Sequence, residues 1–136
     1  MTCRYRLVLL GLLAIVVVQT SLARLMAEEK AAGKMLAHNV YFVLNEKTEA
    51  AKAKLIAACK QHLTNHPGTV FFGVGTVSDL DRPVNDRDWD VGLHLVFENM
   101  AAHDRYQTSS RHDKFVAENK TTWSKVRVFD ADIEGK

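Results

Sequence analysis

The chain has 136 residues, 47% of them hydrophobic, with 18 lysines and arginines against 16 aspartates and glutamates. Once a leader is removed, that length holds one ordinary domain and is too short for two. The charge is nearly balanced and unclustered, which excludes a nucleic-acid footprint of massed Lys and Arg.

Residues 1–27 read as a secretory signal peptide. Arg4 and Arg6 give a positive start, Leu7 to Val18 is apolar throughout, and Ser21-Leu22-Ala23 offers small residues for cleavage, with Leu25-Met26-Ala27 as a second choice. The expected location is periplasmic or extracellular. The alternative is an uncleaved membrane anchor over residues 7–23, although a full span needs about 20 apolar residues. Arg4, Arg6 and Arg24 leave with the leader, so the remaining 15 basic and 16 acidic residues give a net charge of −1. Residues 28–35 are charged and small, the composition of a linker. Cys3 also leaves, so Cys59 has no partner for an internal disulfide. Its place in a helical pattern predicts a buried apolar thiol and not a nucleophile.

The domain proper spans residues 36–133, with 134–136 as a tail. Leu36 to Leu44 alternates as a strand: His38, Val40, Phe42 and Leu44 on one face, Ala37, Asn39, Tyr41 and Val43 on the other. Thr48 then caps a helix to about Asn65, with Ala51, Leu55, Cys59 and His62 or Leu63 at helical spacing. His66-Pro67-Gly68 stops it, because proline cannot continue a helix and glycine turns freely. The second strand is Thr69 to Val77. Gly73 and Gly75 within it suggest a bulge or a close backbone approach. Gly73-Val74-Gly75 lacks the third glycine and the helix start of a dinucleotide loop. Ser78 to Asp88 is a polar loop, long enough to carry function or motion.

The third strand runs from Trp89 to Phe97. Trp89, Val91, Leu93, Leu95 and Phe97 share its apolar face, and Asp90, Gly92, His94 and Val96 take the other. Asp90 is expected to make a turn or edge hydrogen bond. Asn99 caps a short helix, Met100 to Tyr106, and a second helical piece carries His112, Phe115 and Val116. The fourth strand is Trp123 to Asp132, with Val126 and Val128 opposite Lys125, Arg127 and Phe129. The order β-α-β-β-α-β predicts an α+β, ferredoxin-like fold: one antiparallel four-stranded sheet with helices on one face. The bare face would carry Tyr41 or His38, together with His94 and Phe129. That is too much apolar and aromatic surface for water, so a homodimer is expected, two sheets closing into a barrel.

In its run of residues the chain resembles the stress-responsive dimeric α/β-barrel (Dabb) family. The likeness rests on His38-Asn39-Val40-Tyr41-Phe42, the helix stop Pro67-Gly68, the strand from Trp89-Asp90 to Phe97-Glu98-Asn99, the segment Tyr106 to Phe115, and Val126-Arg127-Val128-Phe129-Asp130. The family usually has Tyr-x-x-His-Pro-x-His after its third strand. Here the segment reads Tyr106-Gln107-Thr108-Ser109-Ser110-Arg111-His112, keeping the tyrosine and the last histidine and replacing His-Pro by Ser109-Ser110. A further pocket histidine of a plant polyketide cyclase in this family falls at Val91. The resemblance implies a role in stress response, with His112 as base and Tyr106 as hydrogen-bond partner of a substrate carbonyl.

A near-neutral imidazole suits acid–base work, and a phenol can hold a carbonyl oxygen as charge develops on it. Tyr106 and His112 are therefore the candidate catalytic pair, their bland alternative being braces of the corner between two helices. His38, His94, Trp89 and Phe115 are the candidate ligand-binding residues. His62 and His103 are expected at the surface. The histidines are scattered, so no metal site is expected, and no cofactor. Asn119-Lys120-Thr121 is a formal glycosylation sequon. Three functions fit: a binder of a small apolar or aromatic molecule, a lyase or cyclase acting on a carbonyl compound, and a structural dimerisation module.

Overall fold

A computed structural model describes residues 34–134. The expected leader, most of the linker and the last two residues lie outside the described residues. The elements are β1 (Met35–Leu44), α1 (Glu49–His62), β2 (Thr69–Thr76), β3 (Val91–Phe97), α2 (Met100–Gln107), α3 (Ser110–Asn119) and β4 (Trp123–Ile133). The strands form one antiparallel sheet in the order β2-β3-β1-β4, the ferredoxin-like arrangement.

Alternation in β1 and β3 sets the layers. Val40, Phe42 and Leu44 interleave with Val91, Leu93, Leu95 and Phe97 beneath the helices, where Leu55, Cys59, Leu63, Ala102, Tyr106 and Phe115 close the core. Each fully buried side chain of this size contributes about 1.5–3 kcal/mol relative to exposure. The Cys59 thiol is fully buried, and burial pushes its pKa up to about 12, so it stays protonated and inert.

Thr48 accepts the Ala51 N–H at 3.1 Å and starts α1 as expected. The helix ends at His62, earlier than Asn65, because Asn65 takes a left-handed φ of 55° and breaks the ladder. Gly68 then turns at φ 84°, and a Cβ there would lie 2.5 Å from that of Ala102. The irregularity of β2 falls between Thr69 and Phe71, ahead of its glycines.

The helical segment after β3 divides in two at Thr108-Ser109. The Ser109 hydroxyl donates to the Tyr106 carbonyl at 2.8 Å and accepts the His112 N–H at 3.2 Å, so one side chain both closes α2 and opens α3.

Trp89 departs from expectation. β3 begins at Val91, because Asp90 is tied back to β1: its N–H donates to the Phe42 carbonyl and its carboxylate accepts the Leu44 N–H, both at 2.8 Å. The chain turns there, and the Trp89 indole crosses to the helix-free face, 5.0 Å from the Tyr41 ring and over Gly92. His62 and His103 are not surface residues either. His62 is 6% exposed, with Nε2 3.3 Å from Glu118, and the His103 side chain is 12% exposed. Asn119 of the sequon is buried, its amide donating to the Phe115 carbonyl at 2.9 Å.

Candidate functional site: a cleft beside the fourth strand

The helices cover β1 and β3 but leave the same face of β4 open. The register places Val126 opposite Phe42 and Val128 opposite Val40, so both valines point toward the helix layer, yet they are 44% and 48% exposed. The uncovered strip is one wall of a cleft of ≈330 Å³. Its floor is β1 (His38, Val40, Phe42), its roof is Tyr106 with His112 and Phe115, and Trp123 closes one end. Most of this lining is apolar, with a few polar groups converging on it, the usual make-up of a small-molecule site.

The polar lining is His38, Tyr106, Gln107, His112 and Lys120, and imidazoles gather around the phenol. The Tyr106 ring lies 5.0 Å from that of His112, 5.9 Å from His38 and 4.9 Å from His66, with Phe97 at 5.0 Å. Tyr106 and His112 therefore come together despite the helix break between them. The break achieves it: the Ser109 cap restarts the chain at the angle that turns His112 back toward α2.

Burial governs the electrostatics. The His112 pKa is lowered by desolvation, against a smaller upward pull from Asp113. Its Nδ1 is buried without a hydrogen-bond partner among the described residues. At neutral pH this ring is an uncharged base. Burial also raises the Tyr106 phenol well above its ordinary value, so it stays a donor. His38 meets opposed influences. Its Nδ1 lies 2.6 Å from Asp130 Oδ1, which favours the imidazolium, but desolvation is the larger effect and the pKa is lowered. A carboxylate only accepts, so the neutral His38 ring carries its proton on Nδ1 and leaves Nε2 with a free lone pair.

Of the predicted residues, His38, Tyr106, His112 and Phe115 meet in this cleft; Trp89 and His94 do not. Opposite Asn39 in the register, His94 lies on the helix-free face, where its Nδ1 donates to Asn39 Oδ1 at 2.8 Å. Trp89 walls a separate hollow of ≈460 Å³ on that face. There Arg127 holds the long loop down through Asp86 Oδ2 at 2.8 Å and the Asp88 carbonyl at 2.7 Å. A third hollow, of ≈390 Å³ beside the Thr48 cap, includes Glu46 and Lys54 but no ring. The groups that the sequence did not reveal are His66, His103 and Asp130. His103 had a signal, lying three residues before Tyr106 on one helix face. Asp130 had none, since its meeting with His38 needs the register of strands 92 residues apart.

A family model described as the stress responsive A/B barrel domain, Dabb, matches residues 36–133. The chain belongs to the Dabb family. No curated protein matches it significantly in sequence. Among solved structures it is similar to a Dabb family protein with a ferredoxin-like fold from Mesorhizobium loti, at 22% identity over 75% of this chain and 99% of that one, TM-score 0.63. A hydroxynitrile lyase from Passiflora edulis matches at 19% identity over 76% and 97%, TM-score 0.62. A dimeric ferredoxin-like protein of unknown function from Thermobifida fusca matches at 15% over 74% and 92%, TM-score 0.61. At these identities the likeness is one of fold.

In this Dabb domain, Ser109 replaces a histidine of the usual motif and acts as a helix cap facing its own backbone. Val91, at the place of a pocket histidine in the plant cyclase, is fully buried in the core. The imidazoles beside Tyr106 are instead His38, His66, His103 and His112, from β1, the turn before β2, α2 and α3.

Proposed function

We propose that this protein is an exported, homodimeric stress-response domain that holds a small apolar or aromatic molecule in the cleft between β1, β4 and the two short helices. The observation that carries the reading is the exposed strip of Val126 and Val128 facing a roof of Tyr106, His112 and Phe115. Apolar walls would bind the body of such a ligand, and the His112 and Tyr106 rings would fix one polar group such as a carbonyl oxygen. The homodimer is supported by exposed Phe71 and Phe129 on the helix-free face and by the dimeric Thermobifida fusca relative. Export rests on the leader pattern of residues 1–27, and the stress role on the family's description.

Calorimetric titration with small aromatic ketones tests the binding. Val128→Asp puts a charge on the cleft's exposed lip and is expected to weaken binding at least tenfold. Equal affinity in the variant and the parent chain would place the ligand elsewhere.

The pairing of an uncharged, half-buried imidazole with a phenol supports a second reading, a lyase or cyclase acting on a carbonyl compound. His112 would take the proton and Tyr106 would donate a hydrogen bond to the oxygen that gains charge. The hydroxynitrile lyase among the fold relatives makes cyanohydrin cleavage a reasonable first assay. Turnover at saturating substrate lost in His112→Ala, with the melting temperature retained and any loss of ketone affinity much smaller than the loss of turnover, identifies the enzyme. Binding without turnover leaves the first reading. An intact dimer that takes up none of these ketones points to a purely structural module.

A further inference from the structure

We infer that His38, His103 and Asp130 form a binding site for a single divalent cation of the zinc class, at the His38 end of the cleft. Each of the three offers one ring nitrogen or carboxylate oxygen, and those atoms all lie within 4.8 Å of one another. Three different elements bring them there. β1 supplies His38, β4 supplies Asp130 directly opposite it in the register, and α2, set by its Asn99 cap, lays His103 with its ring 5.0 Å from that of His38.

A second observation points the same way. His103 Nδ1 is buried without a hydrogen-bond partner among the described residues, and its nearest carboxylate oxygen outside the trio, on Asp104, is 3.6 Å away. Leaving a buried nitrogen unsatisfied is unfavourable, and an ion is one of the few things that would satisfy it. Gln107 Nε2 lies 3.1 Å from His103 Nε2. With the amide turned over, its oxygen would accept the Nε2 proton and free Nδ1 as a ligand, the outer-shell support that metal-bound histidines usually have.

Two imidazoles and one carboxylate suit zinc, and three protein ligands leave a coordination position free. Asp130 is half-exposed and gives the ion a route from solvent, while His38 and His103 are largely buried. The inference goes beyond the cleft reading and stands apart from it, because ketone binding can be measured in the presence of a chelator.

The test is zinc titration of the full chain against a chromophoric chelator, with metal content measured after dialysis. One zinc per chain is expected, with affinity falling at least tenfold in Asp130→Asn and in His103→Gln. His94→Gln, on the opposite face, should keep the parent affinity. Asp130→Asn changes a half-exposed side chain, so its loss of zinc can be read in a folded protein, checked by an unchanged melting temperature without metal. No stoichiometric zinc, or equal affinity in Asp130→Asn and His103→Gln, would overturn the assignment.

Discussion

Asp90 lies buried where the chain enters β3, its carboxylate accepting the Leu44 N–H. Asp90→Ala strands that N–H and should cost about 1–3 kcal/mol in chemical denaturation. A change below about 0.5 kcal/mol would mean that solvent reaches the amide. This role is legible in the sequence, since an aspartate where the strand begins most often makes such a bond. The role of Asp130 is not, because nothing local to it announces His38. Burial lowers the pKa of His38, His94 and His112. The unfolded chain therefore takes up protons at these positions first as pH falls below about 6.5. Their contribution to stability is whole above that pH and is lost as acidification passes through the lower folded values. The melting temperature should fall between pH 7.5 and pH 5, and fall less in His38→Gln. A melting temperature that rises on acidification would contradict the neutral assignment.

At the level of the elements, period-two alternation makes β1 and most of β3 legible, and Thr48 and Asn99 mark their helices correctly. Trp89 breaks the pattern because the Asp90 turn comes between it and the strand, and alternation says nothing about where pairing begins. The division of the second helical layer is visible as Thr108-Ser109-Ser110, but its consequence for His112 is three-dimensional. Ser109→Ala removes the cap of α3 and should cost about 0.5–2 kcal/mol. It should also weaken ketone binding, since His112 N–H rests on that hydroxyl. Loss of stability with unchanged affinity would separate the cap from the site. Gly68→Ala puts a methyl group at a positive φ and into Ala102, so a larger loss is expected, seen as a lower denaturation midpoint.

Over the whole molecule, one sheet separates two aromatic clusters. Beneath the helices, Tyr106 gathers the histidines; on the other face, Tyr41 lies 5.6 Å from His94 and 5.8 Å from Phe129. Composition and alternation lead to the expectation of a partner on the second face. They are not enough to assign His38 and His94 to opposite sides, which requires the register. If the helix-free faces join two protomers, Phe71→Asp with Phe129→Asp should convert a dimer to a folded monomer in sedimentation equilibrium. A parent chain that is monomeric at micromolar concentration would end that view. The cleft itself is tested most directly by NMR of the imidazole rings during titration with a small aromatic ketone. The account predicts that the His38 and His112 resonances shift together to saturation while those of His94 stay in place. Movement of His94 alone, or no movement of the cleft rings up to the solubility of the ketone, would contradict it.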